Sequence, residues 1–280
     1  MTRSARRTRR TGRMLQVAGV GAAALLALSA CSSDSDSSTK SDSSTKSGST
    51  AKSDKLSGTV TVFAAASLKE SFTTLGKDFE KAHPGTKVTF NFGGSDTLAA
   101  SITGGAPADV FAAASPKTMA IVTDKSDAVG TPATFVRNQL EIATLPGNPD
   151  KVASLKDLTK SGLKVVLCDK TVPCGAAAQK ALDASSLKLT PVSYEQDVKS
   201  ALTKVELKEA DAAVVYKTDV NAAGDKVAGV EFPESAKAIN DYPIVLLKDA
   251  PNAAAAKEFI ALVQSPEGQK VLTAAGFLQP

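Results

Sequence analysis

The stretch Thr59-Val60-Thr61-Val62-Phe63-Ala64-Ala65-Ala66-Ser67-Leu68-Lys69-Glu70 decides the fold class of this chain. Its first seven residues form a β-branched and apolar run, the pattern of a strand buried on both faces of a parallel sheet. Ser67 stands three residues before Glu70, the spacing of a capping box, which predicts that a helix begins there. The apolar residues that follow recur at helical spacing until His83-Pro84-Gly85: Leu68, Phe72, Leu75 and Phe79.

The same alternation of strand and helix continues to the end of the chain. Strands are predicted at 87–92, 108–114, 163–169, 211–216, 226–232 and 242–248, with a long candidate crossing strand at 134–145. Helices are predicted at 97–103, from 116 onward, and at 174–184, 195–207, 253–263 and 266–275. This order predicts an α/β fold in which helices flank parallel sheets. Two such groups, joined by two crossings, predict one lobe from residues 58–136 and 239–280, a second from 137–238, and a ligand cleft between them.

The N-terminus has the pattern of an export signal. Residues 1–16 are basic, and the apolar run at 17–30 is shorter than the roughly 20 residues that cross a bilayer, so 1–30 is predicted to be a signal peptide. Leu28-Ser29-Ala30-Cys31 resembles a bacterial lipobox, which makes Cys31 the expected lipid attachment site and the cell membrane the expected location. An ordinary secretory signal with an incidental cysteine is the alternative. Arg9-Arg10 leaves the choice between general secretory and twin-arginine export open.

A serine-rich segment separates this signal from the folded part. Asp-Ser-Ser-Thr-Lys-Ser occurs twice in tandem, at 36–41 and 42–47, and few residues of 31–57 could be buried in a core. Such a composition cannot offset the entropy lost on folding, so the segment is predicted to be a disordered tether. A lipid anchor, a tether and a folded domain together suit a receptor that stays near the membrane while it moves.

The charge of the whole chain is misleading. The formal net charge is +4, but six of the seven arginines lie in the first thirty residues, and without them 27 basic residues face 29 acidic ones. The mature protein is therefore slightly acidic and is not expected to bind nucleic acid. The chain has a single histidine, which excludes a metal centre built from several imidazoles.

Hydroxyl groups and helix starts follow several of the predicted strands. Ser67 follows the first strand, Ser95 follows the second through Gly93-Gly94, Cys174-Gly175 opens a helix, and Tyr216 ends a strand. Helix N-termini carry unpaired N–H groups and a partial positive charge, and therefore bind anions. Each residue also has an ordinary explanation: a helix cap for Ser67, turn chemistry for Ser95 and core packing for Tyr216. The inference depends on their joint occurrence.

The folded part resembles the periplasmic molybdate-binding proteins of ABC importers. Eight motifs carry this resemblance, in order and over essentially all of 58–280: Val62-Phe63-Ala64-Ala65-Ala66-Ser67-Leu68, Phe92-Gly93-Gly94-Ser95, Gly105-Ala106-Pro107-Ala108-Asp109-Val110-Phe111, Asn138-Gln139-Leu140, Val172-Pro173-Cys174-Gly175, Asp197-Val198-Lys199-Ser200-Ala201-Leu202, Val214-Val215-Tyr216 and Ser265-Pro266-Glu267-Gly268. It implies a class II periplasmic-binding fold of two α/β lobes, with a molybdate or tungstate dianion bound in the central cleft.

The resemblance also implies a set of ligand-binding residues. Ser67 and Ser95 would donate through hydroxyl and backbone N–H, Cys174 and Val198 through backbone N–H, and Tyr216 through its phenol. Molybdenum would be held as its oxyanion, without direct protein ligands to the metal and without any cofactor. The implied partner is an ABC permease, the membrane is reached only through the lipid anchor, and a monomer is expected. Alanine is usual in the family at the position of Cys174, a difference that a main-chain contact tolerates.

Cys168 and Cys174 are six residues apart and flank a predicted loop between strand and helix. Oxidising surroundings outside the cytoplasm favour a disulfide between them, and two reduced thiols are the alternative. A disulfide there would brace the Cys174 amide. The pair alone is a poor zinc site.

Other functions compete with an oxyanion receptor. A solute receptor could instead take sulfate, phosphonate, another oxyanion or a metal chelate, and an adhesive or scaffolding lipoprotein would leave the hydroxyls at the strand ends unexplained. An exported serine hydrolase could use Ser67 or Ser95 as nucleophile. No Gly-x-Ser-x-Gly elbow occurs, however, and His83 is predicted at the far end of the helix that follows Ser67, more than about 20 Å away.

Overall fold

The computed structural model describes residues 55–280; the predicted signal peptide, the Cys31 attachment site and nearly all of the predicted tether lie outside the described residues. The first of two sheets consists of β1 (Gly58–Ala65), β2 (Thr86–Gly93), β3 (Val110–Ala112), β4 (Ala128–Asn138) and β10 (Asn240–Leu247), in the order β2-β1-β3-β10-β4. One face is covered by α1 (Lys69–Ala82), α7 (Ala253–Gln264) and α8 (Pro266–Ala274), and the other by α2 (Ser95–Thr103) and α3 (Pro116–Thr123). We call this sheet and its helices the first lobe.

The second sheet consists of β5 (Leu140–Thr144), β6 (Val165–Cys168), β7 (Ser193–Glu195), β8 (Ala212–Tyr216) and β9 (Ala228–Val230), in the order β7-β6-β8-β5-β9. Its helices are α4 (Pro173–Ala184), α5 (Val198–Glu206) and α6 (Lys217–Ala223). This sheet and its helices form the second lobe, whose apolar side chains pack in a core largely separate from those of the first lobe. The two-lobed α/β fold expected from the sequence is confirmed.

Two expectations about the strands are wrong. The long strand predicted at 134–145 is two strands in different sheets: Asn138 pairs with Asn240 in the first, and Leu140 pairs with Tyr216 in the second. Gln139 alone separates them, so hydrophobic periodicity shows no boundary. The sheets are also mixed rather than parallel, because β10 runs antiparallel to β3 and β4, and β5 runs antiparallel to β8 and β9. The two reversed strands, β5 and β10, are each the first strand after the chain crosses between the lobes. The chain enters the sheet at the cleft there, so the strand runs away from the cleft.

Several helix boundaries also differ from the prediction. The predicted helix at 195–207 starts only at Val198, because Asp197 caps it by accepting a hydrogen bond from the Ser200 N–H at 2.9 Å. Residues before it form strand β7, and α6 was not predicted at all. The end of α8 follows the prediction: Gly276 has φ +105°, a conformation that glycine adopts readily, and its N–H bonds the Thr273 carbonyl.

The first lobe is held together by an aromatic cluster on α1 and α7. Phe259 contacts Phe72 and Phe79 edge to face, with ring centroids 5.9 and 5.6 Å apart, and all three side chains are fully buried. Helical periodicity in the sequence assigned two of them, Phe72 and Phe79, to the buried face of α1. In the part of the chain that the structure describes, no helix combines the length and the apolar composition needed to cross a membrane.

Candidate oxyanion-binding site

A small cavity lies between the two lobes, where strands of both sheets end. The first lobe contributes residues 65–67, 93–95 and 114, and the second contributes 172–174, 197, 198 and 216. All five residues that the resemblance implied as ligand donors therefore line one cavity: Ser67, Ser95, Cys174, Val198 and Tyr216. They come from five separate segments of the chain, which only the folding of both lobes brings together.

The cavity is the size of one small ion. The centre of a water molecule has about 20 Å³ in which to move there, more than one ordered water needs. If this space were spherical, oxygen atoms could lie about 1.7 Å from its middle, which is the scale of a bond between a central atom and oxygen. The space therefore suits a compact ion such as a tetrahedral oxyanion.

Three helices begin at the cavity. Ser95 is the first residue of α2, Cys174 the second of α4, and Val198 the first of α5. N–H groups in the first turn of a helix have no acceptor within the helix, and no loop carbonyl among the described residues accepts one from these three. Each helix start adds a partial positive charge, so the cavity attracts an anion although no Lys or Arg of residues 55–280 lines it.

Two glycines allow the backbone to approach closely around the cavity. A Cβ at Gly94 would lie 2.5 Å from the carbonyl oxygen of Gln196, which belongs to the other lobe. A Cβ at Gly175 would clash with the carbonyl oxygen of Asp169 beside the start of α4. These positions require glycine because of close contact, and Gly94 brings the two lobes together at the site.

Each hydroxyl group of the site has a partner inside the protein. The Ser95 hydroxyl accepts a hydrogen bond from the Ala114 N–H at 3.0 Å, and the phenol oxygen of Tyr216 accepts one from Asn240 Nδ2 at 2.7 Å. The Ser67 hydroxyl lies 2.8 Å from the phenol oxygen of Tyr242. Burial raises the pKa of both tyrosines, so both phenols keep their protons at neutral pH.

The predicted capping box at Ser67 is wrong. Ser67 lies in a short 3-10 turn, Ala66–Leu68, and its hydroxyl contacts Tyr242 instead of a helix N–H. Leu68 is the N-cap of α1 and makes no side-chain cap. Glu70 instead pairs with Lys199. Periodicity located the helix start correctly, but long-range contacts decide where both side chains point.

Cys168 and Cys174 are joined by a disulfide, with their Cα atoms 5.8 Å apart. It ties the last residue of β6 to the first turn of α4. Both cysteines are buried, and Cys174 lines the cavity. The disulfide therefore restrains the main chain at one of the N–H groups that face the site.

A charged cluster that sequence reasoning missed lies beside the site. Lys199 Nζ is 2.9 Å from Glu70 Oε2 and 3.1 Å from Asp219 Oδ1. Asp219 is fully buried, and burial raises its pKa to about 6 in spite of Lys199; its other oxygen accepts the Tyr216 N–H at 3.1 Å. Burial opposes the charge of Lys199, but the two carboxylates outweigh it and raise its pKa. The sequence contains no pattern that predicts this cluster, because its lysine and its two acidic residues are far apart along the chain.

The geometry does not support Ser67 as the nucleophile of a serine hydrolase. His83, the one histidine of the chain, follows the C-terminal end of α1, where its ring packs on Phe79 with centroids 4.6 Å apart. Ser67 precedes the other end of this 14-residue helix, which spans about 20 Å. No imidazole can therefore act as the base for Ser67. Within residues 55–280, no group of three or more His, Cys, Asp and Glu side chains could hold a metal ion.

Two lobes around an ion-sized cavity define a solute-binding protein, and comparison with known families agrees. The family model described as bacterial extracellular solute-binding protein matches residues 60–278. The chain belongs to this family.

Within the family, the chain is similar to molybdate-binding proteins. It is 42% identical over 222 residues to the molybdate-binding protein ModA of Mycobacterium tuberculosis, covering 79% of this chain and 85% of the relative. Its fold matches the substrate-binding domain of a putative molybdenum ABC transporter from Clostridium difficile, with a TM-score of 0.60, 30% identity, and 80% and 100% of the two chains covered. It also matches the periplasmic molybdate-binding protein of Azotobacter vinelandii, with a TM-score of 0.70, 22% identity, and 79% and 99% covered; at this identity the likeness concerns the fold.

Proposed function

We propose that this protein binds molybdate, and tungstate as well, outside the cytoplasm and delivers the anion to an ABC import permease. One observation carries the proposal: hydroxyl-bearing residues and helix starts of both lobes line one ion-sized cavity, and no Lys or Arg of residues 55–280 lines it. The molybdate-binding relatives support the choice of ligand. The protein acts as a receptor rather than an enzyme and uses no cofactor.

The ligand is held by geometry rather than by an opposite charge. N–H groups at three helix starts and the hydroxyls of Ser67, Ser95 and Tyr216 surround the anion. Because these donors stand at set positions, an ion that is too small loses hydrogen bonds and one that is too large clashes. The cavity thus selects by size and shape among anions of the same charge.

Binding closes the two lobes. Donors from both lobes contact the anion together only when the cleft is shut, so the anion has a higher affinity for the closed form and shifts the population toward it. The permease then recognises the closed form. Lipid on Cys31 and the tether of residues 31–57 keep this monomeric receptor at the membrane surface while the lobes remain free to reach the permease.

Titration calorimetry on the mature chain with molybdate, tungstate, sulfate and inorganic phosphate tests the proposal. Molybdate and tungstate should bind much more tightly than the other two anions. Sulfate binding as tight as molybdate binding would overturn the assignment and favour the alternative of a receptor for another oxyanion. Labelling of Cys31 by a radioactive fatty acid in cells, with Cys31→Ser as the control, tests the anchor.

A further inference from the structure

Two side chains lie behind the cavity without lining it. Asn240 and Tyr242 are two residues apart on β10, so their side chains project from the same face of the strand. Both are buried, with 8% and 0% of their surface exposed. Each touches a hydroxyl of the proposed site: Asn240 contacts Tyr216, and Tyr242 contacts Ser67. They therefore determine what those hydroxyls can do.

The direction of the Ser67 hydroxyl follows from counting protons. The Tyr242 oxygen accepts from Asn138 Nδ2 at 3.4 Å, and Ser67 Oγ is its closest hydroxyl partner, at 2.8 Å. Among the described residues, no other hydrogen bond within 3.5 Å uses the phenol proton of Tyr242. Leaving a buried hydroxyl proton without an acceptor is costly, so Tyr242 donates to Ser67 Oγ. The Ser67 proton is then left to point into the cavity.

Asn240 determines the direction of the Tyr216 hydroxyl in a similar way. Its Nδ2 lies 2.7 Å from the Tyr216 oxygen, 2.9 Å from the Ala114 carbonyl and 3.4 Å from the Pro173 carbonyl. A carbonyl oxygen can only accept, so the side of Asn240 that faces them must be its NH₂ group. Tyr216 therefore accepts from Asn240, and its own proton is left to donate, to the neighbouring Tyr242 phenol or to an anion in the cavity. The second amide proton of Asn240 goes to the Ala114 carbonyl oxygen, the nearer of the two, which would otherwise offer an acceptor beside the site.

The Ser95 hydroxyl completes the pattern, because it already accepts the Ala114 N–H. Asp197, a carboxylate in the cavity wall, has both oxygens engaged, by the N–H and the hydroxyl of Ser200 at 2.9 and 3.0 Å. The three hydroxyls of the cavity are thus set as donors, whereas Asp96 Oδ1, a buried oxygen close to Gly94, is an acceptor in the described residues that has no hydrogen-bond partner.

We propose that Asn240 and Tyr242 are positioning residues that force the hydroxyls of Tyr216 and Ser67 to act as donors, so that neither can accept a hydrogen bond from the ligand and both disfavour an oxyanion that carries a proton. This inference rests on the proposed function. A fully deprotonated oxyanion accepts every bond that the site offers. An anion with one protonated oxygen, as inorganic phosphate has near neutral pH, places a hydrogen against another hydrogen at these two hydroxyls.

A double-mutant cycle tests the role of Tyr242. Tyr242→Phe removes only the phenol oxygen, and the Kd for molybdate should rise about tenfold, the scale of one hydrogen bond to a charged group. In a Ser67→Ala background the same change should alter Kd by less than about twofold, because its effect passes through Ser67. Tyr194→Phe, the same change on an exposed residue of β7, is the matched control and should have no effect. An unchanged Kd in Tyr242→Phe, or effects that simply add in the double variant, would overturn the inference.

Discrimination against a protonated anion is a second readout, which a merely structural role would not move. Freed from Tyr242, the Ser67 oxygen can accept, so the ratio of the Kd for inorganic phosphate to that for molybdate should fall in Tyr242→Phe. It should stay at the wild-type value in Tyr194→Phe. A variant that loses affinity for both anions equally would contradict the proposed role in specificity.

Asn240→Ser provides an independent test in case Tyr242→Phe does not fold. It removes the amide from Tyr216 and frees the Ala114 carbonyl as an acceptor, so molybdate affinity should fall about tenfold and the ratio of the Kd for phosphate to that for molybdate should fall with it. An unchanged ratio would overturn the inference. The variants are measured with whichever of molybdate, tungstate, sulfate and phosphate binds the wild type most tightly. Failure of the molybdate assignment therefore shows in the wild type, and failure of the positioning role shows in the variants; if none of the four anions binds, both are overturned.

Discussion

Lys199 Nζ lies 2.9 Å from Glu70 Oε2 and thereby joins α5 of the second lobe to α1 of the first across the edge of the cleft. The same ammonium group lies 3.1 Å from Asp219, which belongs to its own lobe. Opening the cleft would break the bond to Glu70 and keep the one to Asp219. The ion pair between lobes thus favours the closed form, next to the residues that we propose bind the anion.

Removing this link should weaken binding slightly. Glu70 is half-exposed, so its ion pair contributes at most about 1 kcal/mol, and Glu70→Gln should raise the Kd for molybdate by about two- to fivefold. The rise should appear mainly in the dissociation rate, measured by stopped-flow fluorescence or surface plasmon resonance. Glu209→Gln is the matched control, since Glu209 pairs with Lys204 within one lobe. Equal effects of the two variants would show that linking the lobes plays no part.

The hydroxyls of Ser67 and Tyr216 should each contribute to affinity directly. Ser67→Ala and Tyr216→Phe should each lose about 1–3 kcal/mol of binding free energy, the scale of a hydrogen bond to a charged group. Calorimetry with molybdate measures the loss, and thermal unfolding checks that both variants fold. Tyr194→Phe is again the control for the tyrosine. Wild-type affinity in either variant would remove that residue from the proposed ligand set.

The buried carboxyl of Asp219 should make stability depend on pH. Burial raises its pKa from 3.8 to about 6. Between these values the folded state binds more protons than the unfolded state, so the contribution of Asp219 to the free energy of unfolding falls as pH rises from about 4 to about 6. The fall amounts to about 3 kcal/mol. The pKa of Asp219 is raised although Lys199 faces the carboxyl, because the effect of desolvation is larger than that of the ammonium group. The nearby Glu70 raises this pKa further.

Asp219→Asn should remove this fall. The unfolding free energy of the wild type minus that of Asp219→Asn should therefore decrease as pH rises from 4.5 toward 7. Urea unfolding at a series of pH values measures it, and subtraction cancels other carboxyls such as Glu141, whose pKa burial also raises. Asp78→Asn, on the exposed face of α1, is the control. A difference that does not change with pH would contradict the raised pKa.

The disulfide between Cys168 and Cys174 should support both stability and binding. It closes a loop of six residues, for which chain entropy gives about 2 kcal/mol of stabilisation. Replacing both cysteines with alanine should lower the melting temperature and raise the Kd for molybdate modestly, because the main chain at Cys174 loses a restraint. Calorimetry and thermal unfolding measure the two effects. Unchanged affinity together with unchanged melting would refute the bracing role.

Some parts of the fold were predictable because they depend on neighbours in the sequence. The β-branched run before Ala66 predicted β1, and helical spacing predicted the buried face of α1 through Phe72 and Phe79. The boundary at Gln139 was not predictable, since its neighbours on both sides are strand residues and only their partners differ. The prediction of parallel strands was wrong for β5 and β10, because an apolar run has the same pattern in a parallel and in an antiparallel pair.

The amino-acid sequence by itself determined the alternation of strands and helices, the hydroxyls and helix starts at strand ends, and, through its motifs, the five residues that share one cavity. Tertiary structure alone decided that Ser67 faces Tyr242 instead of capping a helix, that Asn240 meets Tyr216, and that Glu70 reaches Lys199 in the other lobe. The physical reason is distance along the chain. Local patterns specify backbone conformation, whereas hydrogen bonds between distant residues, such as the 175 positions between Ser67 and Tyr242, depend on how strands, helices and lobes pack.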